Sequence, residues 1–252
     1  MKILVVTSQT TYMPGNYQRL LEGLLETGSN DPGWSIDAIA SVKTLNGSLI
    51  KTIIGLPFLG VFNLTHELIK NSWELLFRKR ERLAKEHNIP HRLVTSMNEE
   101  SVIEWVKNLN VDLILNIRTR NIYGENILKT PTLGCINIHH GMLPEYRGTF
   151  CDLYALSEGR EAGFSIHKME KRVDAGKIFK VVTVDPGNEK NYRNYLKKTE
   201  DIELEELLLF FNECSKKMSL PEGIQNKTTN KIYTKNPNRK LIQEFKKKGF
   251  IL

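Results

Sequence analysis

The amino-acid sequence predicts an α/β fold: a doubly wound, mostly parallel sheet with a small C-terminal extension. Three observations carry that prediction. Strand-like apolar runs alternate with amphipathic helical stretches through the first two thirds of the 252 residues. Residues 111–117 are almost continuously apolar, as expected of a strand buried on both faces at the centre of a parallel sheet. After Gly148 the pattern loosens, and residues 163–169 and 177–184 read instead as an antiparallel pair.

Element by element, residues 2–7 predict the first strand and 17–27 a helix with Leu20, Leu21, Leu24 and Leu25 on one side. Residues 34–41 are the second strand. Residues 42–63, broken by Gly55, Pro57 and Gly60, read as an irregular insertion. A long helix is expected over 65–87, ended by Pro90, and then a short strand at His91–Val94. Asn98 is the expected cap of the next helix, with Glu99 and Glu100 favouring its dipole. Gly134–His139 is the following strand. A helix over 202–218 gathers Leu204, Leu207, Leu208 and Phe211, and a strand at 231–234 and a helix at 239–248 complete a polar, basic tail. The chain is thus divided into a main domain, 1–188, and a helical, basic extension, 189–252.

Composition narrows the function classes. A hydrophobic fraction of 40% and a charged fraction of 26% are ordinary for a soluble globular protein. The net charge of +7 points only weakly to an anionic substrate, because much of the excess lies in Lys240, Lys246, Lys247 and Lys248. That tail also lacks the aromatic interleaving of single-strand readers, Tyr233 and Phe245 being isolated, so no nucleic-acid partner is expected. Cys135, Cys151 and Cys214 show no CxxC spacing, which fits a reducing compartment and argues against structural zinc. The N-terminal run breaks at Thr7 without a signal-peptide core, and residues 53–64 are too short and interrupted to span a bilayer. That stretch is expected to pack on the domain, and the protein to be cytoplasmic, with no membrane partner. Residues 8–15 carry no GxGxxG pattern, so a dinucleotide site is unsupported.

The chemistry lies in Gly134-Cys-Ile-Asn-Ile-His-His-Gly-Met-Leu-Pro-Glu-Tyr-Arg-Gly148 and in Val173-Asp-Ala-Gly-Lys-Ile178. On a strand, Asn137 and His139 share one face while Ile136 and Ile138 enter the core on the other. Asp174 arrives on a later turn. An amide, an imidazole and a carboxylate at a strand end would supply an oxyanion donor, a proton carrier and a group that tunes it. Singly, each has a structural explanation: a loop-bonding amide, a satisfied interior histidine, a turn aspartate. No cysteine is expected to act as a nucleophile.

Together these residues resemble the N10-formyltetrahydrofolate-dependent formyltransferase family. Its signature is Asn-x-His, then Leu-Leu-Pro and a Gly, with an Asp some way on in a Val/Leu-Asp-x-Gly turn. Here it falls on Asn137, His139, Leu143-Pro144, Gly148, Asp174 and Gly176. The chain departs from it at Gly141, where a serine is usual, and at Met142, where the first leucine stands. The resemblance implies the family's Rossmann-like fold and catalytic roles for Asn137, His139 and Asp174. It implies a folate co-substrate with no metal, held by Asn116, Ile117, Arg118, Thr119, Arg120 and Val173. Met142, Tyr146 and Arg147 are the expected substrate contacts, Tyr146 and Arg147 being read equally well as loop anchors. His140 is expected on the pocket wall or exposed, and His167 to be structural or solvent-facing. The short basic tail is most similar to the sugar N-formyltransferases, which implies a nucleotide-linked amino deoxysugar as acceptor and a homodimer. The alternatives are glycinamide ribonucleotide or methionyl-tRNA as acceptor, or hydrolysis of the formylfolate.

Overall fold

The computed structural model describes residues 1–44 and 47–252. β1 (Lys2–Ser8) leads through a tight 3-10 turn into α1 (Gln18–Asn30), and β2 (Ser35–Val42) follows. α2 (Gly47–Phe58) and α3 (Phe62–Trp73) form a helical hairpin, and α4 (Lys79–Glu86) precedes β3 (His91–Val94). Then come α5 (Glu100–Leu109), β4 (Leu113–Ile117), α6 (Glu125–Leu128), β5 (Gly134–His139), β6 (Tyr146–Gly148) and α7 (Cys151–Ser157). β7 (Gly163–Lys168), β8 (Ile178–Thr183), α8 (Tyr192–Lys217), β9 (Ile232–Thr234) and α9 (Arg239–Lys247) complete the chain.

Seven strands make one sheet in the order β3-β2-β1-β4-β5-β7-β8. The pairs from β3 through β5 are parallel, and β7 and β8 are antiparallel. Strand alternation divides the core. Ile3, Val5 and Leu115 face Leu20, Leu21 and Leu24 of α1, while Leu4, Val6 and Ile114 face Val102 and Val106 of α5. Each such side chain contributes about 1.5–3 kcal/mol on burial, which is why helices cover both faces. The carboxyl ends of β1, β4 and β5 lie side by side, where a doubly wound sheet presents its ligand crevice.

Three expectations are revised here. Residues 42–63 are not irregular: α2 and the start of α3 occupy them, while Leu45 and Asn46 lie outside the described residues. Pro57 sits in the last turn of α2, where it ends a helix more than it breaks one. The long helix expected over 65–87 is interrupted at Arg78, which adopts φ 47° between a 3-10 turn and α4. Glu99, not Asn98, stands at the start of α5. Asn98 instead accepts from Gly124 N (2.6 Å) and donates to Ile122 O (2.7 Å), tying down the loop after β4.

The segment 189–252 is no loose appendage. α8 begins ten residues earlier than expected and packs Leu196, Leu207 and Phe211 into the same core as β1 and α1. Trp34 Nε1 donates to Asn212 Oδ1 at 2.8 Å, and β9 pairs in parallel with β6, immediately after β5.

Candidate active site

Parallel register sets Asn116 of β4 directly beside Asn137 of β5, and two residues further on β5 ends at His139. Among buried polar side chains, hydrogen bonding decides orientation. Thr119 Oγ1 donates to Asn116 Oδ1 (2.7 Å), which leaves Asn116 Nδ2 to donate to Asn137 Oδ1 (2.7 Å). Asn137 Nδ2 then donates to His167 Nε2 at 3.2 Å, and His167 Nδ1 donates to Lys168 O at 2.8 Å. Burial, followed by the neighbouring His139, presses the His167 pKa down to about 4, so its Nε2 stays a bare acceptor at neutral pH. The chain of bonds runs in one direction, and it leaves the second hydrogen of Asn137 Nδ2 uncommitted.

His139 is buried, and its Nε2 donates to Tyr146 O at 2.9 Å. A carbonyl only accepts, so Nδ1 carries the variable proton, and it faces Asp174 Oδ2 at 3.8 Å. The other Asp174 oxygen lies 3.7 Å from His167 Nε2. Asp174 therefore sits between two imidazoles, in a left-handed turn at φ 49° that aspartate tolerates better than most residues. Arg147 Nη1 and Asn226 Nδ2 both donate to Asp174 O, and Arg147 Nη2 reaches Asn226 Oδ1 at 2.7 Å. Asn226 Nδ2 also donates to Gly176 O (2.9 Å). Gly176 is required there, because a Cβ would stand 2.1 Å from Lys168 O.

The three predicted catalytic residues thus come together, lining a cavity of about 360 Å³. Asn116, Arg118, Thr119, Arg120 and Val173 line it too. Ile117 does not; its side chain is fully buried in the core. Nor do Met142, Tyr146 and Arg147. The Tyr146 hydroxyl donates to Glu158 Oε2 (2.8 Å) and its carbonyl orients His139, while the Arg147 guanidinium is spent on the Asp174 loop. The loop-anchor reading of these two side chains is the one their contacts describe.

His140 is buried rather than exposed, on the wall of the cavity. Its Nε2 meets Glu203 Oε1 at 2.5 Å and Arg118 Nη1 at 2.9 Å, and Nδ1 lies 3.2 Å from Asp152 Oδ2. Burial and Arg118 press its pKa down, but Glu203 and Asp152 outweigh them, and the imidazole titrates above its ordinary range. Arg118 also donates to the hydroxyls of Tyr17 (2.7 Å) and Tyr12 (3.0 Å), so its cation is fixed in the cavity floor.

His167 and Asn226 also hold the Asn137–His139–Asp174 group together, a part the sequence reading gave to neither. Asn226 has no local signature, because it acts on a loop some fifty residues earlier. His167 was recoverable in principle: paired antiparallel strands set it opposite Asn137. Cys151, for its part, does approach His139, at 3.7 Å from Nε2. Burial pushes its thiol up to about 12, so no thiolate forms near neutrality.

A second cavity, of about 820 Å³, adjoins the first along Tyr12, Phe150, Arg118 and Arg120. Ser8, Thr10, Thr11, Lys43, Thr44 and Thr95 line one part of it; Leu56, Leu59, Leu64 and Ile242 line another.

A family profile described as formyl transferase matches residues 76–209, more than half of the chain. Methionyl-tRNA formyltransferase of Thermotoga maritima is 37% identical over 107 residues, covering 41% of this chain and 34% of that protein. The chain spans about a third of the length of such curated relatives. Two solved structures share the fold over 93% of the chain. A 4-N formyltransferase from Francisella tularensis matches with TM-score 0.60, 18% identity and 76% of its own length covered. Phosphoribosylglycinamide formyltransferase from Anaplasma phagocytophilum matches with TM-score 0.62, 16% identity and 98% covered.

Proposed function

The chain belongs to the formyl transferase family, and on that premise we propose that it moves a formyl group from N10-formyltetrahydrofolate to the amino group of a nucleotide-linked amino deoxysugar. The observation that carries the acceptor is the second cavity. Its hydroxyl-lined part, with Lys43, Arg118 and Arg120, suits sugar hydroxyls and a phosphate charge, and its apolar part suits a base or a deoxysugar's carbon face. It opens onto the first cavity, where Asn137, His139 and Asp174 stand.

The first cavity fits the folate. Ile122 and Val173 line it and are 63% and 61% exposed, apolar surface that a flat ring system would cover, while Asn116, Thr119 and Asn121 offer polar groups beside them. Arg118, Thr119, Arg120 and Val173 would hold it, and when bound it supplies an activated formyl group. The chain's own residues do the rest. The uncommitted hydrogen of Asn137 Nδ2 stabilises an oxygen that gains negative charge, a contribution of about 3–4 kcal/mol for one such donor. His139 exchanges a proton at Nδ1, and Asp174 pairs with the imidazolium that results. Neutral His167 holds the Asn137 amide in place. A homodimer and a role in surface-polysaccharide synthesis accompany this reading.

Tetrahydrofolate release, followed with purified protein, N10-formyltetrahydrofolate and a panel of amines, tests it. The panel is dTDP-4-amino-4,6-dideoxyglucose, its 3-amino isomer, UDP-4-amino-arabinose, glycinamide ribonucleotide and methionyl-tRNA. Release that requires a sugar nucleotide and vanishes in His139→Ala is the expected result. Release with glycinamide ribonucleotide or methionyl-tRNA alone reassigns the acceptor, and amine-independent release makes the protein a hydrolase.

A further inference from the structure

The hairpin of α2 and α3 presents apolar side chains on both of its faces. Inward, Leu56, Leu59, Leu64 and Leu68 line the second cavity. Outward, Ile50, Ile54 and Phe58 recur every fourth residue along α2 and are 50%, 60% and 84% exposed. On α3 and the turn after it, Phe62 (66%), Ile69 (40%), Trp73 (65%) and Phe77 (54%) are exposed as well. Seven large exposed aromatics and isoleucines within residues 50–77 mark a contact surface rather than ordinary scatter.

The charges around it identify the partner. Between residues 47 and 73 the single acid, Glu67, is fully buried and paired with Arg193, so it presents no negative charge outward. Lys51 and Lys70 are exposed beside the apolar side chains. At the tip of the hairpin, Lys246 Nζ donates to Leu59 O at 3.1 Å, which brings the basic end of α9, with exposed Lys247 and Lys248, next to Phe58 and Phe62. Exposed aromatic and branched side chains on a stretch, residues 47–73, whose exposed charged groups are lysines match an interface of acyl chains beneath anionic headgroups. A second copy of the chain is the competing occupant, and the test below separates the two. Among the described residues no helix is long and apolar enough to cross a membrane, so the contact is with a surface.

We propose that the α2–α3 hairpin docks the protein on an anionic lipid bilayer, with Phe58, Phe62 and Trp73 entering the interface and the flanking lysines meeting the headgroups. This assignment is independent of the acceptor assigned above, and its failure leaves that reading untouched.

Co-sedimentation of the full chain with vesicles tests it, using phosphatidylcholine alone and an equal mixture with phosphatidylglycerol. Binding to the mixed vesicles is expected to exceed binding to phosphatidylcholine roughly tenfold and to weaken as salt rises. A blue shift of tryptophan emission, absent from Trp73→Phe, should accompany it. Phe58→Ser with Phe62→Ser, and separately Lys51→Glu with Lys70→Glu, should each lower binding by at least roughly tenfold, with circular dichroism unchanged. All four positions are exposed, so loss of fold is not the expected route. The proposal is overturned by a wild type that ignores both vesicles, or by binding that Phe58→Ser/Phe62→Ser leaves intact. A lipid-free dimer that the same pair of substitutions dissolves would also overturn it, assigning the face to a second copy.

Discussion

Asn116→Leu measures how much the site depends on one amide being held the right way round. Asn137 is gripped from both sides: Asn116 Nδ2 donates to its oxygen at 2.7 Å, and its own Nδ2 donates to His167 at 3.2 Å. Turned over, it would set nitrogen against nitrogen on one side and oxygen against a bare imidazole nitrogen on the other. Leucine keeps the volume and removes the first grip. A buried hydrogen bond of this kind is worth about 0.5–1.5 kcal/mol net, so the preference for the correct orientation falls by up to about tenfold. One aligned oxyanion donor is worth roughly 10²–10³ in kcat. An amide held from one side alone is both less well oriented and less well positioned, so the variant should lose up to about tenfold in kcat with KM changed less than about twofold. Thr119 and Tyr123 lose their acceptor as well, so urea unfolding should show a deficit of about 1–3 kcal/mol. The assay is steady-state tetrahydrofolate release in Asn116→Leu, Asn137→Ala and the double variant. If Asn116 acts through Asn137, the double variant is no slower than Asn137→Ala. A further tenfold fall in the double variant, or no fall in the single one, would refute the reasoning.

Gly141→Ala should lower kcat at least roughly tenfold and cost about 1–3 kcal/mol, because its Cβ would stand 2.6 Å from His139 Nε2 and 2.8 Å from Cys151 Cβ; kinetics and thermal unfolding check both. Arg147→Ala should free the Asp174 turn, lowering kcat roughly tenfold or more with KM nearly constant and stability down by about 2–4 kcal/mol, read by kinetics and urea titration. Glu200 accepts from Leu20 N at the start of α1 (3.2 Å), and burial raises its pKa to about 7 from an ordinary 4.5. Its folded pKa lies above its unfolded one, so its contribution to stability is complete below about 4.5 and is lost as pH rises through about 7. Glu200→Gln keeps the acceptor without the charge; it should therefore match the wild type near pH 5 and exceed it by up to about 3 kcal/mol near pH 8, measured by thermal unfolding at both.

Strand alternation made the sheet and the Asn137–His139 pair legible, because each depends on local spacing, and the family signature alone joined Asp174 to them. The prediction for β5 needed only that residues two apart share a face. What escaped depended on contacts between distant residues. α2 was hidden by Gly55 and Pro57, whose breaking tendency is overcome by packing against the second cavity and by Pro57 lying in the final turn. Arg147 reads in sequence as a substrate contact or a loop anchor alike, and only Asn226 and the Asp174 turn show what it holds. His167 looked structural because its partner across the sheet lies thirty residues away.

The Asn226 clamp makes the aspartate turn depend on a segment synthesised some fifty residues after it. Asn137, His139 and Asp174 all leave the ribosome well before residue 226, and Thr234 donates its hydroxyl to Thr149 O (2.8 Å) later still. A nascent chain therefore carries Asn137, His139 and Asp174 while the aspartate turn is still unpinned. That turn gains its latch only once residue 226 has emerged and folded back against Asp174 and Gly176.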